Sequence, residues 1–404
     1  MLATLPGGRL AGAQDTGYGG ESVTLSYGLW DAAQKPGIDK QIAAFNQQFP
    51  NIKVEPTIVP FDDYWTKLQT GVAGGQTYDV FWMNAPNLPV FAAQSALLSI
   101  EPIVGDGGAD PSKFPAALVE SYTFDGTLYG IPRDFDTIAL FYNTRLFDAA
   151  GVDYPTDAWG WEDLRVAAEK LTKDGGPWGF GCLISDQQNY FNFIKQNEGG
   201  LISDDFTTCL IDEPASCEAL DYLTQFFTAG WTPSVSIMQA NDPEQTLFPA
   251  GQIAMMPSGS WNARTFGEAD PAIKVAPLPK GKQRACMIHG LANVIWAKSP
   301  NQGAALEWVK FLAGEEAERI LGESATVIPA MQGLQEDWVA SMPDLDLQVF
   351  LDAVEYSFPL PSPPSGPEWR DKIEAVLIEG WSGNFPAEEL CTRAAAAANE
   401  ALSS

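Results

Sequence analysis

The side chains of this sequence favour hydrogen bonding and ring stacking over metal or nucleophilic chemistry. The 404 residues include 13 Trp and 52 Asp or Glu, but a single histidine, His289. One imidazole excludes a histidine-cluster metal site, and any Ser-His or Cys-His catalysis would need that residue. The sequence also lacks a nucleophile elbow and a glycine-rich phosphate cradle. It therefore predicts no metal and no cofactor, and favours a site of flat aromatic faces and planar polar groups.

The charge balance bears on the partners of the protein. Lys and Arg number 23 against 52 acids, for a net charge of −29. Such a surface repels phosphate backbones and anionic lipid, so nucleic acid and membrane surfaces are not expected partners. A cationic ligand such as a polyamine fits this charge, although an acidic surface also serves solubility alone. No run of about 18 apolar residues is present, so no membrane-spanning segment is predicted.

The five cysteines and the N-terminus bear on the compartment. Cys209 and Cys217 flank a short polar turn, and their spacing predicts a local disulfide, which fits export. Cys182, Cys286 and Cys391 have apolar neighbours and are expected to be buried thiols.

Residues 1–20 are rich in Gly and small residues and are predicted to be a flexible leader. Residues 10–12 fit the start of a lipoprotein box, but Ala13 stands where the lipidated cysteine belongs. A tail without a targeting role is the alternative.

The first structured elements must position the candidate site. Residues 23–30, 52–55 and 79–83 have the apolar and β-branched content of strands, and 38–49 and 61–72 have helical spacing. This alternation predicts an α/β fold with a mostly parallel sheet. In such sheets ligands bind beyond the carboxyl ends of the strands.

Several candidate binding residues stand at those predicted ends. Trp30 and Asp31 follow the first strand, and Asn84 follows the third. Asp62 and Tyr64 open the second helix, whose N-terminus is expected to face the ligand. Packing at the sheet edge is an equal alternative for Trp30, and a helix cap is an equal alternative for Asp62.

The order of motifs adds a family resemblance. The segments that carry it are 42–54, 126–143 with its Tyr-Gly-Ile-Pro and Leu-Phe-Tyr-Asn ends, 248–261 with its closing Gly-x-Trp, 275–279 and 296–317. Together, these segments resemble the extracellular solute-binding proteins of ABC importers, the family that includes the maltose-binding protein. The resemblance extends from about residue 23 to residue 402.

The resemblance implies a type II periplasmic-binding-protein fold, in which two α/β lobes are hinged around a ligand cleft. After the leader 1–20, the predicted parts are lobe one at 21–132 and 290–325, lobe two at 138–286 and 333–404, and hinge crossings at 133–137, 287–289 and 326–332. Glycine and proline near the crossings suit a hinge, where a few residues absorb the change in dihedral angles.

The resemblance also implies ligand-binding residues. Trp261, in the Gly-x-Trp motif, and Trp369, after the proline-rich run 358–367, match positions that stack on sugar rings, and Tyr190 matches an aromatic residue of the cleft. Core packing is the alternative for the two tryptophans. Asp136 matches a carboxylate that accepts from sugar hydroxyls.

Four further positions complete the predicted site. Asp134, two residues before Asp136, is the second carboxylate candidate. Arg370 could donate to hydroxyls or form a surface ion pair. His289 could bind the ligand or stabilise the hinge, and Gly290 would let the backbone approach the cleft closely.

The expected function is therefore the capture of a mono- or oligosaccharide and its delivery to the permease subunits of an ABC importer, without catalysis. The expected protein is a monomer, extracellular or periplasmic, tethered to the membrane as a lipoprotein. The same fold with a polyamine or glycerophosphodiester ligand, and a glycan-active enzyme with a carboxylate pair, are the alternatives.

Overall fold

The computed structural model describes residues 16–105, 108–241 and 243–403, with the side chain of Asp62 outside the described set. The strands are β1 (Val23–Leu29), β2 (Ile52–Ile58), β3 (Val80–Asn84), β4 (Leu97–Leu98), β5 (Thr123–Phe124), β6 (Thr127–Leu128), β7 (Ile131–Asp136), β8 (Ile138–Asn143), β9 (Met255–Gly259), β10 (Ile273–Ala276), β11 (Cys286–Trp296), β12 (Ile328–Pro329) and β13 (Ser357–Pro359).

Helices cover both sheets. They are α1 (Lys35–Gln48), α2 (Phe61–Ala73), α3 (Leu88–Ala93), α4 (Ala116–Ser121), α5 (Thr144–Ala150), α6 (Trp161–Leu171), α7 (Phe191–Gln196), α8 (Pro214–Thr228), α9 (Val235–Ala240), α10 (Ala263–Ala269), α11 (Gln302–Leu312), α12 (Glu315–Glu323), α13 (Glu336–Ala340), α14 (Gln348–Asp352), α15 (Glu368–Trp381) and α16 (Leu390–Leu402).

The larger sheet has the strand order β12-β7-β11-β3-β1-β2. The pairs β1–β2 and β1–β3 are parallel, whereas β3–β11, β11–β7 and β7–β12 are antiparallel. The three predicted strands are parallel, with β1 between β2 and β3, but the larger sheet as a whole is mixed rather than mostly parallel. The antiparallel part contains β7, which continues into β8 of the second sheet, and β11, whose first residues pair with β13.

The smaller sheet is antiparallel, with the order β10-β8-β9. We call the larger sheet with α1–α4, α11 and α12 the large-sheet lobe, and the smaller sheet with α5–α10, α15 and α16 the small-sheet lobe. Thr137 alone separates β7 from β8, so the first passage between the sheets is very short. In β11, Cys286–Ile288 pair with β13, and from His289 onward the strand pairs with the large sheet.

Aromatic side chains fill the cores of both lobes. Trp308 packs edge-on against Tyr27 of β1 and Phe45 of α1, with ring centroids 5.8 and 4.9 Å apart. In the small-sheet lobe Trp161 stacks on Tyr222 at 4.5 Å. These rings remove large apolar areas from water and fix the helices on their sheets.

Local sequence patterns predicted several helices to within a few residues of their observed bounds. The helix predicted at 38–49 is Lys35–Gln48, and that predicted at 61–72 is Phe61–Ala73. The side chain of Asp163 accepts from the Gly160 N–H at 2.8 Å and caps α6, because an N-terminal turn leaves backbone donors unpaired.

The predicted disulfide between Cys209 and Cys217 was wrong. Cys217, in the first turn of α8, is bonded to Cys391 of α16, 174 residues away. Cys209 is a buried free thiol, and its backbone N–H donates to the side chain of Asn399. The packing of α16 beside α8 brings Cys391, rather than the neighbour in sequence, to Cys217. Cys182 and Cys286 are buried free thiols, as predicted, whereas Cys391 is not.

Candidate functional site

A buried pair of carboxyl groups lies where the chain passes from the large sheet to the small sheet. Asp134 and Asp136 lie on β7, opposite Leu291 and His289 of β11. Asp134 accepts from the Leu291 N–H at 3.0 Å, and Asp136 accepts from the hydroxyl of Ser260 at 2.8 Å. Because Ser260 follows β9 of the small sheet, this second bond joins the two lobes.

Burial changes the protonation of both acids. It raises the pKa of Asp136 to about 8, with a further increase from the neighbouring Asp134. Burial also raises the pKa of Asp134 to about 6, against the opposing effect of the Arg133 guanidinium. Asp136 therefore holds a proton at neutral pH, and its carboxyl group can donate as well as accept.

Arg133 forms a buried ion pair with Asp134. Its guanidinium lies over the ring of Trp82, 4.5 Å from the centroid, and donates to the side chains of Gln34 and Asp134. Arg133 and Asp134 are both buried. The contacts fix Asp134 in place and neutralise its charge when it is ionised.

An aromatic cluster flanks the acids in the large-sheet lobe. Trp30 is partly exposed, and its ring meets those of Phe61, Tyr64, Trp65 and Trp82 at centroid distances of 5.0–5.7 Å. Phe61 keeps 48% of its surface exposed. An exposed ring resting on a packed cluster is a suitable face for stacking on a ligand.

Tyr64 lies beneath the exposed face of this aromatic cluster. It is fully buried, and its hydroxyl donates to the carbonyl of Trp82 at 2.8 Å. Its ring packs against that of Trp30, with centroids 5.0 Å apart, and a direct contact with the ligand stays a prediction for Tyr64.

Trp261 lies at the edge of the small sheet and is partly exposed. Its indole folds back over Gly259, where an added Cβ would lie 1.9 Å from the ring. The glycine of the Gly-x-Trp motif is therefore needed for the ring's position. Ser260, between them, supplies the hydroxyl that donates to Asp136.

A polar cluster in the small-sheet lobe contains unpaired donors. Arg370 donates to Asp186, and this ion pair is largely buried. Among the described residues, the Tyr190 hydroxyl, Trp369 Nε1 and Arg370 Nε have no hydrogen-bond partner. Buried donors without acceptors are costly, so these three atoms point to a partner outside the chain, either water or a ligand.

Trp369 and Tyr190 are both fully buried in this arrangement. The indole of Trp369 stacks on Phe191 with centroids 5.7 Å apart. Burial raises the pKa of Glu374 to about 8, with Asp186 adding to the effect, so this acid is also protonated at neutral pH.

His289 and Gly290 connect the two clusters through β11. Burial lowers the pKa of His289 to about 4, and the neighbouring Arg370 lowers it further, so the imidazole is neutral at physiological pH. A Cβ on Gly290 would lie 2.5 Å from the carbonyl oxygen of Asp134. Gly290 is therefore required by the close approach of β7.

The remaining predicted residues make local contacts. Asp31 accepts from the Ala33 N–H at 2.8 Å and lies near enough to Asp134 and Asp136 to raise the pKa of both. Asn84 accepts from the side chain of Asn87 at 2.8 Å. Asp62 opens α2, but its side chain lies outside the described residues.

Sequence reasoning missed several polar residues of the site. They are Gln34, Ser260, Asp186 and Glu374, together with the structural role of Arg133. Position next to a predicted residue could have indicated Ser260 and Arg133. Nothing distinguished Asp186 or Glu374 from the other acids, because their partners are distant in the sequence.

Comparison with known proteins identifies the family. Residues 31–319 match the pattern of the bacterial extracellular solute-binding proteins. The chain belongs to this family. This solute-binding protein is 25% identical to the galactooligosaccharide-binding protein of Bacillus subtilis over 379 residues, which cover 91% of this chain and 87% of that protein.

Solved structures confirm the two-lobed fold of this solute-binding protein. An ABC substrate-binding protein of Listeria monocytogenes, in complex with cycloalternan, superposes with a TM-score of 0.87 at 27% identity, over 93% of this chain and 98% of that chain. A receptor of Streptomyces glaucescens, solved unliganded and with acarbose, has a TM-score of 0.83 at 22% identity, over 94% and 98% of the two chains. The second likeness bears on the fold only.

Within the described ranges of this solute-binding protein, each helix is too short or too polar to span a membrane. The same residues contain no group of three or more His, Cys, Asp or Glu side chains able to hold a metal ion.

Proposed function

We propose that this solute-binding protein captures a neutral mono- or oligosaccharide between its lobes and delivers it to the permease subunits of an ABC importer. The observation that carries the proposal is the pairing of an aromatic face with a carboxyl group. Trp261 directly follows Ser260, whose hydroxyl bonds to Asp136 at the passage between the sheets. The names of the relatives and the cycloalternan complex support the same ligand class.

Ligand capture would use both lobes. Trp30, Asp31 and the acid pair would contact the sugar from the large-sheet lobe, and Trp261, Tyr190, Trp369 and Arg370 from the small-sheet lobe. A sugar that bridges these groups favours the closed form, because only that form makes both sets of contacts. The predicted boundaries at 133–137, 287–289 and 326–332 are the hinge in this proposal.

The charges of the site favour an uncharged ligand. Asp136 and Glu374 hold protons at neutral pH and therefore offer little attraction to a polyamine. Arg133 and Arg370 are already paired with Asp134 and Asp186, so neither is a free cation for a glycerophosphodiester. Sugar hydroxyls suit such groups because they both donate and accept.

The proposed setting follows from the family and the ligand. We place the protein outside the cytoplasmic membrane, tethered as a lipoprotein, and working as a monomer with its permease. We propose binding without catalysis, because the relatives that match it are binding proteins.

Isothermal titration calorimetry tests the ligand class. The panel contains galactooligosaccharide, arabinooligosaccharide, diacetylchitobiose, maltotriose and cycloalternan, with spermidine and glycerophosphocholine as charged alternatives. We expect a glycan to bind and the charged compounds to give no heat. If none of the glycans gave binding heat, or if a charged compound bound saturably, the proposal would be contradicted.

A tryptophan pair makes the test specific to the site. Trp261→Ala should weaken binding of the glycan about ten-fold, because a stacking ring contributes up to about 1.5 kcal/mol beyond its buried area. Trp231→Ala is the matched control, since Trp231 is also a partly exposed indole of the small-sheet lobe and packs against Phe226 and Arg165.

Chromatography of the glycan after incubation with the protein tests for catalysis, and we expect the glycan to remain intact. Cleavage would favour the enzyme alternative.

A further inference from the structure

A proline-rich segment leaves the small-sheet lobe, touches the large-sheet lobe and returns. We call residues 357–367 the strap. It begins with β13, which pairs with the small-sheet end of β11, and it ends where α15 begins to pack on α8 and α16. The strap contacts two helices of the large-sheet lobe. Its first part, β13, lies beside α4, and Gly366 near its end lies against Val90 of α3.

The contact of Gly366 with Val90 is close. Gly366 is buried, has φ +91°, and its N–H donates to the Pro363 carbonyl in a turn. An added Cβ there would lie 2.8 Å from Cγ2 of Val90. Valine is stiff at χ1, so its methyl group cannot easily move away. Any side chain at this position would therefore push the strap from α3.

The strap is stiff and leads directly to predicted ligand residues. Five of its eleven residues are proline, and proline fixes the backbone angle φ. Pro367 is followed after one residue by Trp369 and Arg370, whose Nε1 and Nε are buried without a partner among the described residues. A shift of the strap is therefore transmitted to the start of α15.

We propose that the strap is a latch between the lobes, and that seating Gly366 on Val90 sets the position of Trp369 and Arg370 for ligand binding. Gly366 and Val90 are positioning residues, which act on the ligand through α15. The ligand part of this inference rests on the proposed function, whereas the seating of the strap is a property of the free protein.

Hydrogen–deuterium exchange of the free protein tests the seating. Gly366→Ala should make the backbone amides of α3 and the strap exchange at least about three-fold faster, because the latch opens more often. Gly383→Ala is the matched control: Gly383 also has a positive φ, of +78°, but an added Cβ there meets nothing within 4 Å. A double variant, Gly366→Ala with Val90→Ala, removes the clashing methyl group and should restore most of the protection.

Calorimetry with cycloalternan and a galactooligosaccharide tests the link to the ligand. Gly366→Ala should weaken binding about ten-fold relative to Gly383→Ala, with partial recovery in the double variant. Exchange rates of Gly366→Ala equal to those of Gly383→Ala, or a double variant without recovery, would overturn the latch. If the wild-type protein binds no glycan, the proposed function fails, while the exchange data still decide whether the strap is seated. Faster exchange with unchanged affinity would remove the positioning role.

Discussion

At the scale of single residues, the acids of the crossing differ from the many acids of the surface. Asp134 and Asp136 are buried on one strand, two residues apart, and each is bonded to a donor from another part of the chain. Arg133 compensates only one of them directly. The pair therefore combines an ionisable group matched by a cation with a group that burial keeps protonated.

Removing the cation should be strongly destabilising. Arg133→Met leaves Asp134 buried without its partner, and we expect the free energy of unfolding to fall by about 3 kcal/mol. Lys53→Met is the control, because its ion pair with Glu55 is exposed and should contribute at most about 0.5 kcal/mol. Urea denaturation at pH 7 measures both variants. Equal losses would show that the buried pair contributes no more than the exposed one.

The protonated state of Asp136 predicts a pH dependence. Its pKa is about 8 in the folded protein against an ordinary value near 4. Between these values the folded state holds the proton and the unfolded state releases it, so this group's stabilising effect is lost as the pH rises towards 8.

Asp136→Asn should remove this dependence, because asparagine resembles the protonated acid. We expect the fall in unfolding free energy between pH 5 and pH 8 to be reduced by up to about 1 kcal/mol per pH unit. Glu355→Gln, at an exposed position, should leave the slope as in the wild type. Denaturant titrations across the range would contradict the prediction if Asp136→Asn kept the wild-type slope.

At the scale of elements, the small-sheet lobe is held together by a covalent link between distant helices. The bond from Cys217 to Cys391 joins α8 to α16, and α16 also packs along α15, whose first turn contains Trp369 and Arg370. The bond closes a long loop, and it restricts the unfolded chain more than a short local bridge would.

Reduction of this disulfide should lower the free energy of unfolding by about 2–4 kcal/mol. Cys391→Ala should be equally destabilised and should no longer respond to a reducing agent. Cys209→Ala is the matched control, since it removes a buried free thiol and should keep the response. Thermal unfolding with and without reductant checks this. If Cys209→Ala no longer responded to the reducing agent, the result would support a disulfide between Cys209 and Cys217 instead.

At the scale of the whole molecule, the net charge of −29 acts on the chain as a whole. Self-repulsion of this size destabilises the compact state, and 0.1 M salt screens the repulsion between exposed charges more than about 10 Å apart. We expect the melting temperature to rise by several degrees between 10 and 300 mM NaCl. Differential scanning calorimetry at fixed pH measures this. A constant or falling melting temperature would mean that attractive ion pairs dominate the surface.

Local elements and the family were accessible from the sequence because their signals are local. Helix α1 follows from apolar spacing over a few turns, and the segments 126–143 and 248–261 keep their motif in a short stretch of chain. The single histidine and the acid excess also limit the possible chemistry, because both are properties of the composition alone. These features depend on residue types and on neighbours within a few positions.

The tertiary structure alone decided the features that depend on distant partners. It joined Cys217 to Cys391, turned Tyr64 into the core, and made the large sheet mixed. It also gave Asp136 its raised pKa, because desolvation depends on what packs around the side chain and not on the adjacent sequence. Local periodicity fixes which elements form, whereas packing between elements fixes which side chains meet and how water is excluded from them.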